Sequence, residues 1–345
     1  MKIEMLPAFY GDCILINFKD ENKISRNILI DGGIRRTYET ALKKRLKKII
    51  ENNENIDLLV VTHIDDDHIG GIIKLFEDKN INKQFIKKVW FNSHCNIYRK
   101  YGDIVDNTEL KIQDNNNLKT SSNQAITLEK KLRALNIWEE EVIEVSNKFK
   151  EYKFYGLKIT VLTPDFNTLC KLNKKIIDEL GTDGLLTASK VNDYDKTIDT
   201  LIRMDFEEDE SITNKSSISF IIEDENSLKY LLLGDSHPTD VISSLKKLGY
   251  CKENKIKLEY IKLSHHASKR NLNYDLLEVL DCNKYIVSTN GLHSNLPNKQ
   301  TLARILNNNE KSEIYFNYPD LYKKIFNYDE RIKYNFYYKD ILEVE

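Results

Sequence analysis

The sequence predicts an α/β fold, and two observations carry the prediction. Leu58-Leu-Val-Val61 is an unbroken apolar run, the mark of a strand buried on both faces; it stops at Thr62-His63, and a helical spacing of Ile72, Ile73 and Phe76 follows. The same succession of strand, polar cluster and helix returns three times in the second half. Residues 230–233 run into Gly234-Asp235-Ser236-His237, residues 258–263 into Ser264-His265-His266-Ala267-Ser268, and residues 285–287 into a loop ending at His293. Strands alternating with helices build parallel sheet, and the carboxyl ends of such strands are where open α/β sheets hold ligands.

Taken in order, residues 1–33 read as strands: Ile14, Ile16 and Phe18 alternate with smaller or polar partners, and 28–30 run into the turn Asp31-Gly32-Gly33. Residues 37–51 predict a helix with Tyr38, Leu42, Leu46 and Ile49 on one face and a solvated basic face opposite. Residues 85–91 read as a strand ending in Asn92-Ser93-His94. Residues 96–150 are polar with helical pattern at 125–135, 154–162 form a strand closed by Thr163-Pro164, and 165–214 are again polar with weak helical pattern. After a strand at 218–222, Thr239 is expected to cap a helix carrying Val241, Leu245 and Leu248. A helix from about Pro297 and final strands from Ile314 complete the chain.

Composition narrows the function. With 41% hydrophobic and 31% charged residues in a chain of 345, a sizeable core is available, and the reading is one domain over 1–345 with insertions at about 96–150 and 165–214. The 52 basic and 54 acidic residues nearly cancel, so any polyanion contact is a local patch. Five cysteines without a CxxC pair read as reduced thiols of a cytoplasmic protein. No signal-peptide pattern and no apolar stretch of membrane-spanning length is visible, so no membrane association is expected.

The seven histidines are concentrated: His63, His68, His94, His237, His265, His266 and His293, with none between Cys95 and Ser236. In His63-Ile-Asp65-Asp66-Asp67-His68-Ile-Gly70-Gly71 two imidazoles and three carboxylates crowd together with no Lys or Arg among them, which calls for a divalent cation.

This stretch resembles the His-x-His-x-Asp-His signature of the metallo-β-lactamase superfamily; with Asp in second place it is similar to the hydrolase domain of competence-type DNA-uptake proteins and their stand-alone relatives. The resemblance implies a four-layer αββα sandwich with polar insertions. It implies a first metal on His63 and Asp65, a second on Asp67 and His68, a bridging carboxylate in Asp235, and His265 as the last ligand of the second metal. His94 is the only candidate for the third-motif ligand. The cofactor expected is one or two Zn2+ or Mn2+ ions, since a carboxylate at position 65 is a harder ligand than imidazole. Asp67, His266 and His293 are the catalytic candidates, the two histidines for proton transfer or substrate contact. Lys269 and Arg270 are candidates to hold a phosphate. Asn214 and Ser217 also fit the competence-type pattern, Asp31 is either an acceptor behind a metal ligand or a turn cap, and His237 sits beside the site.

The function so implied is metal-assisted hydrolysis, with a bound water whose pKa falls from about 15.7 toward about 7, acting on a phosphodiester in a nucleic acid or nucleotide. The alternatives are hydrolysis of a lactone, thioester or lactam, and a non-catalytic metal-binding regulatory module.

Overall fold

The computed structural model describes residues 1–102, 121–145, 149–179 and 192–343. Two sheets dominate it. The first contains β1 (Lys2–Met5), β2 (Ile14–Lys19), β3 (Ser25–Ile30), β4 (Leu58–Val61) and β5 (Val89–Phe91) side by side in chain order. The second contains β6 (Glu151–Phe154), β7 (Leu157–Thr163), β8 (Ser219–Glu223) and β9 (Lys229–Leu232). A short ladder of β10 (Ile256–Lys257) and β12 (Leu280–Asp281) lies apart, while β11 (Tyr260–Lys262), β13 (Lys284–Val287), β14 (Glu313–Phe316) and β15 (Asn335–Tyr338) extend the second sheet beyond β9. The last described strand, β16 (Ile341–Glu343), returns to pair with β1. β3, β4 and β5 are mutually parallel, as are β9, β11, β13, β14 and β15.

Side-chain alternation turns these sheets into four layers. Ile28, Leu58 and Val60 of the first sheet and Phe220, Ile222 and Leu232 of the second meet in one core between the sheets. Their neighbours point the other way: Leu29, Leu59 and Val61 pack outward among helices on one side, Ile221 and Leu231 on the other. A period of two along each strand therefore feeds two faces, and each sheet is covered on its outer side. The arrangement is an αββα sandwich.

The outer layer of the first sheet includes the helices Lys43–Glu51 and Asp66–Glu77. It also draws Ala125, Leu128 and Leu132 from the helix Ser121–Leu135 and Leu169, Leu172 and Ile176 from the helix Phe166–Glu179. Parts of the two polar stretches thus build a layer of the fold; within them, 103–120, 146–148 and 180–191 lie outside the described residues. Pro238–Lys247, Tyr274–Val279 and Lys299–Asn308 cover the second sheet.

Several boundaries move from their expected places. The helix expected at 37–51 starts at Arg35 and passes through a wider π turn at Tyr38–Leu42. Only Val89–Phe91 of 85–91 is strand. Thr239 is no cap: the helix begins at Pro238, and the Thr239 hydroxyl donates to Glu208 Oε1 at 2.6 Å. The helix expected from Pro297 begins at Lys299, whose N–H and that of Gln300 donate to the two carboxylate oxygens of Asp193, each at 2.9 Å. No described helix is long and apolar enough to cross a membrane.

One close approach fixes the entry of the helix Asp66–Glu77. A Cβ on Gly71 would lie 2.0 Å from the Gly32 carbonyl oxygen. Without it, Gly71 N–H donates to Gly33 O and Gly32 N–H to His68 O, both at 2.8 Å, locking the helix backbone to the Asp31-Gly32-Gly33 turn.

Candidate metal centre

Strand ends from both sheets converge here. β4 delivers Thr62 and His63; the helix that follows has Asp65 at its N-cap and carries Asp67 and His68 in its first turns. From the second sheet, β9 leads to Asp235 and β11 to His265 and His266. The backbone after β11 is strained: His265, His266 and Ala267 have φ of +46°, +52° and +67°, three successive non-glycine residues in the left-handed region. Such conformations cost of order 1–3 kcal/mol each and persist where surrounding structure enforces them, commonly at functional sites.

The result is a cage of nitrogen and oxygen atoms. His68 Nε2 lies 3.4 Å and His63 Nε2 3.7 Å from Asp235 Oδ2, and the two rings are 4.1 Å apart. On the adjoining side Asp67 Oδ2 lies 3.2 Å from His266 Nε2 and 3.9 Å from His68 Nε2. Atoms bound to one cation at about 2.0–2.2 Å sit roughly 3–4 Å from one another, so these spacings suit shared coordination. Three candidate ligand groups share His68 among the described residues: His63, His68 and Asp235; Asp67, His68 and His266; and Asp12, Asp31 and His68; the first two form the cage, each with its candidate atoms within 4.8 Å of one another.

Hydrogen bonding aims the imidazoles. Asp31 Oδ2 accepts from His68 Nδ1 at 2.8 Å and from the Thr62 hydroxyl at 2.7 Å, while Asp31 Oδ1 accepts from Thr62 N–H. Because the Thr62 hydroxyl donates to Asp31, its oxygen accepts from His63 Nδ1, 3.0 Å away. His266 Nδ1 donates to Ser288 O at 2.8 Å. In all three rings Nδ1 is the donor and Nε2 turns into the cage, the arrangement in which an outer partner fixes a metal-ligating imidazole. The buried His63 Nε2, His68 Nε2 and Asp235 Oδ1 have no hydrogen-bond partner among the described residues. Buried polar atoms are normally satisfied, and a divalent cation satisfies these three together. The residues present fit such an ion.

The electrostatics agree. Burial and the neighbouring His68 push the His63 imidazole down to about 4, leaving it neutral at pH 7. Against burial, the carboxylates of Asp235, Asp67 and Asp31 raise His68 well above its ordinary value, and Asp12 raises His266 to about 9. Burial and Asp67 together lift Asp65 to about 6. Without a cation, protons on His68 and His266 supply the positive charge the carboxylates demand.

The predicted residues divide. His63, Asp67, His68, Asp235 and His266 come together. Asp65 sits at the solvent rim, its Oδ2 3.6 Å from His63 Nε2 and its Oδ1 accepting from the Ser121 hydroxyl. His265, expected as a ligand of the second metal, lies at the edge of the cage: Nε2 is 3.9 Å from Asp235 Oδ2, the oxygen that also faces His63 and His68, and Nδ1 is 3.4 Å from Asp209. His266 faces Asp67, so the left-handed turn brings both adjacent histidines to carboxylates of the cage, His265 to Asp235 and His266 to Asp67. His94 does not join; its Nδ1 bonds Asn173 Oδ1 at 2.6 Å and its ring stacks on Tyr98. His293 stacks on Tyr10 at the surface. Lys269 is exposed, and the Arg270 guanidinium donates to Glu208 O, which engages it away from the cage. Asn214 donates to Asp209, and Ser217 accepts from Asp235 N–H and touches His63 Nδ1.

Two carboxylates outside the sequence motifs, Asp12 and Asp209, also belong here. Asp12, fully buried, pairs with the buried Lys262 and lies 3.4 Å from His266 Nδ1. Asp209 sits 3.6 Å from His237 Nε2 and accepts from Asn214 and Asn271. Gly11-Asp12 ahead of β2 was a usable signal; Asp209, inside an acidic run, carried none.

A family model, Metallo-beta-lactamase superfamily, matches residues 6–94. Among solved structures the chain resembles the crystal structure of a long form RNase Z from yeast, at 14% identity and a TM-score of 0.40, over 99% of this chain and 41% of that one. The chain therefore spans under half the length of that protein. A search of curated proteins returns no match. The family match covers the strands and the helix that present Asp12, Asp31, His63, Asp65, Asp67 and His68; over these residues the chain is similar to the metallo-β-lactamase superfamily, and its layers are those of an αββα sandwich.

Proposed function

We propose that this protein is a metal-dependent hydrolase of phosphodiester bonds in nucleic acids or nucleotides, working in the cytoplasm with one or two Zn2+ or Mn2+ ions, and that residues 1–345 act as one unit. The observation that carries the reading is the convergence of three buried, unsatisfied atoms, His63 Nε2, His68 Nε2 and Asp235 Oδ1, from two sheets onto one point. Other buried polar atoms, such as Trp90 Nε1 and Ser312 Oγ, also lack a partner, but these three belong to neighbouring residues of the candidate metal-ligand types.

A divalent cation held there supplies Lewis acidity and a bound water acidic enough to react near neutral pH. The chain's own groups do the rest. Asp31, Thr62 and Ser288 hold His68, His63 and His266 by their Nδ1 atoms, so no reorientation is needed when a cation enters. His68 is common to the two ligand sets, Asp235 contributes the carboxylate of the first, and Asp67 extends the second toward solvent. Asp209 orients His265 from behind, with His265 Nε2 directed at Asp235 on the open side. The choice of a phosphodiester rests on the similarity of the Asp65-containing motif and of Ser264-His265-His266-Ala267-Ser268 to the DNA-uptake type.

The test is turnover of bis-p-nitrophenyl phosphate by purified protein with added Mn2+ or Zn2+. Asp67→Ala and His68→Ala, with circular dichroism unchanged, are expected to lower turnover by more than the roughly 10- to 100-fold that marks loss of an outer-shell partner. Turnover unaffected by either change overturns the assignment; turnover of lactones or thioesters alone moves the substrate class.

A further inference from the structure

Beside the cage, two loops form a rim that the hydrolytic chemistry leaves unused. Tyr10 and His293 stack with ring centroids 4.2 Å apart and planes 19° from parallel. His293 is exposed, and its neighbour Leu292 is 78% exposed, the most exposed of the large hydrophobic residues described. Next along the rim, the exposed Arg36 guanidinium lies 4.9 Å from the centre of the Phe9 ring.

The rim is rigidly joined to the cage. Phe9, with φ of +63°, donates its N–H to Tyr318 Oη at 2.6 Å, and Phe9 O accepts from Asn290 N–H at 2.7 Å, tying the two loops together. Asp12 N–H donates to Asp67 O, and a Cβ on Gly11 would lie 1.9 Å from that same oxygen. The Tyr10 phenol is raised from its ordinary value by burial and then by the charges of Asp66 and Asp67, which reports the same proximity. A flat ring pair open to solvent, a cation over an aromatic ring and a polyvalent ion site within one short span are the elements that grip single-stranded nucleic acid: bases stack on the rings while cations hold phosphates.

We infer that the Tyr10–His293 stack is a nucleobase platform that seats the base next to the scissile phosphodiester, with Arg36 placed for a neighbouring phosphate. The inference rests on the hydrolase reading and gives its substrate class as unpaired nucleotides. It also gives His293 a stacking role in place of proton transfer.

The experiment uses the Mn2+-loaded protein and fluorescence anisotropy with two phosphorothioate probes of eight units, an oligothymidylate and the same backbone carrying abasic spacers. A dithymidine dinucleotide as competitor distinguishes a strand site from a nucleotide site. The wild-type protein is expected to prefer the base-bearing strand by about 5-fold or more, the range set by one to two stacked bases. His293→Ala should bring the preference close to unity and His293→Phe should restore it. Equal binding of both strands by the wild type, no binding of either, a preference retained in His293→Ala, or failure of His293→Phe to rescue it, each overturns the inference. Turnover of bis-p-nitrophenyl phosphate without base preference sinks the platform alone; base preference without such turnover sinks the hydrolase reading alone.

Discussion

Asp31 touches no substrate-facing space, yet three hydrogen bonds end on its carboxylate, and through them it sets the orientation of His68 directly and of His63 through Thr62. Its own backbone is left-handed, φ +57°. Removing the carboxylate leaves both imidazoles free to turn or to change tautomer. Asp31→Ala is therefore expected to weaken Zn2+ or Mn2+ binding by about 10- to 100-fold, the usual effect of losing an outer-shell partner, while the helix Asp66–Glu77 stays in place through Gly71 and Gly33. Isothermal titration with metal checks this; unchanged affinity contradicts it.

At the scale of elements, the helix bearing Asp67 and His68 is held at both ends. Its start is locked by the Gly71–Gly33 contact, and its far end by Asp78, whose Oδ2 accepts from Tyr38 Oη at 2.6 Å and pairs with Lys43 at 2.7 Å. Hydrogen bonds from Lys43 and then Tyr38 hold the Asp78 carboxyl well below its ordinary range. A carboxyl depressed in the folded state stabilises the fold fully above its unfolded value, about 3.9, and loses that contribution as pH falls toward the folded value. Asp78→Asn should thus lower the melting temperature at pH 7, and the gap to wild type should close as pH falls from about 5 to about 2. Calorimetry at several pH values decides it, and a gap independent of pH contradicts the role given to this pair.

Which elements were legible in the sequence follows from what sets them. The strands leading to His63, Asp235 and His265 announce themselves because apolar runs and polar ends are local properties. Which carboxylate each of His265 and His266 faces is not local: it depends on a left-handed turn that no residue in Ser264–Ala267 demands by its type. His94, a candidate by its position between motifs, belongs to no candidate metal group among the described residues, and its Nδ1 is bonded to Asn173 from a helix 79 residues on. Asp209 reaches the site only because 192–215 folds back over the second sheet, where Asp193 caps the helix Lys299–Asn308 and Arg270 holds Glu208 O. Helix caps supplied from distant segments, here by Asp193, leave no mark in the helix's own sequence.

For the molecule as a whole, the cage joins the two sheets. His63, Asp67 and His68 come from the first, Asp235 and His266 from the second, and the buried Asp12–Lys262 pair bridges the sheets beneath them. A cation that binds only the folded arrangement stabilises it by mass action, about 2.7 kcal/mol at a hundredfold excess over its Kd. Saturating Zn2+ or Mn2+ is expected to raise the melting temperature by several degrees, and a chelator to reverse the rise; His68→Ala should abolish the response. A melting temperature indifferent to metal in the wild type contradicts a cage shared between the sheets.

The central claim is that these distant loops form one cation site, and anomalous scattering from a crystal grown with Zn2+ or Mn2+ tests it most directly. The account predicts an anomalous peak enclosed by His63, His68 and Asp235, with any second peak beside Asp67 and His266. Data from well-diffracting crystals with no peak there, or with metal only at other histidines such as His94 or His293, contradict it.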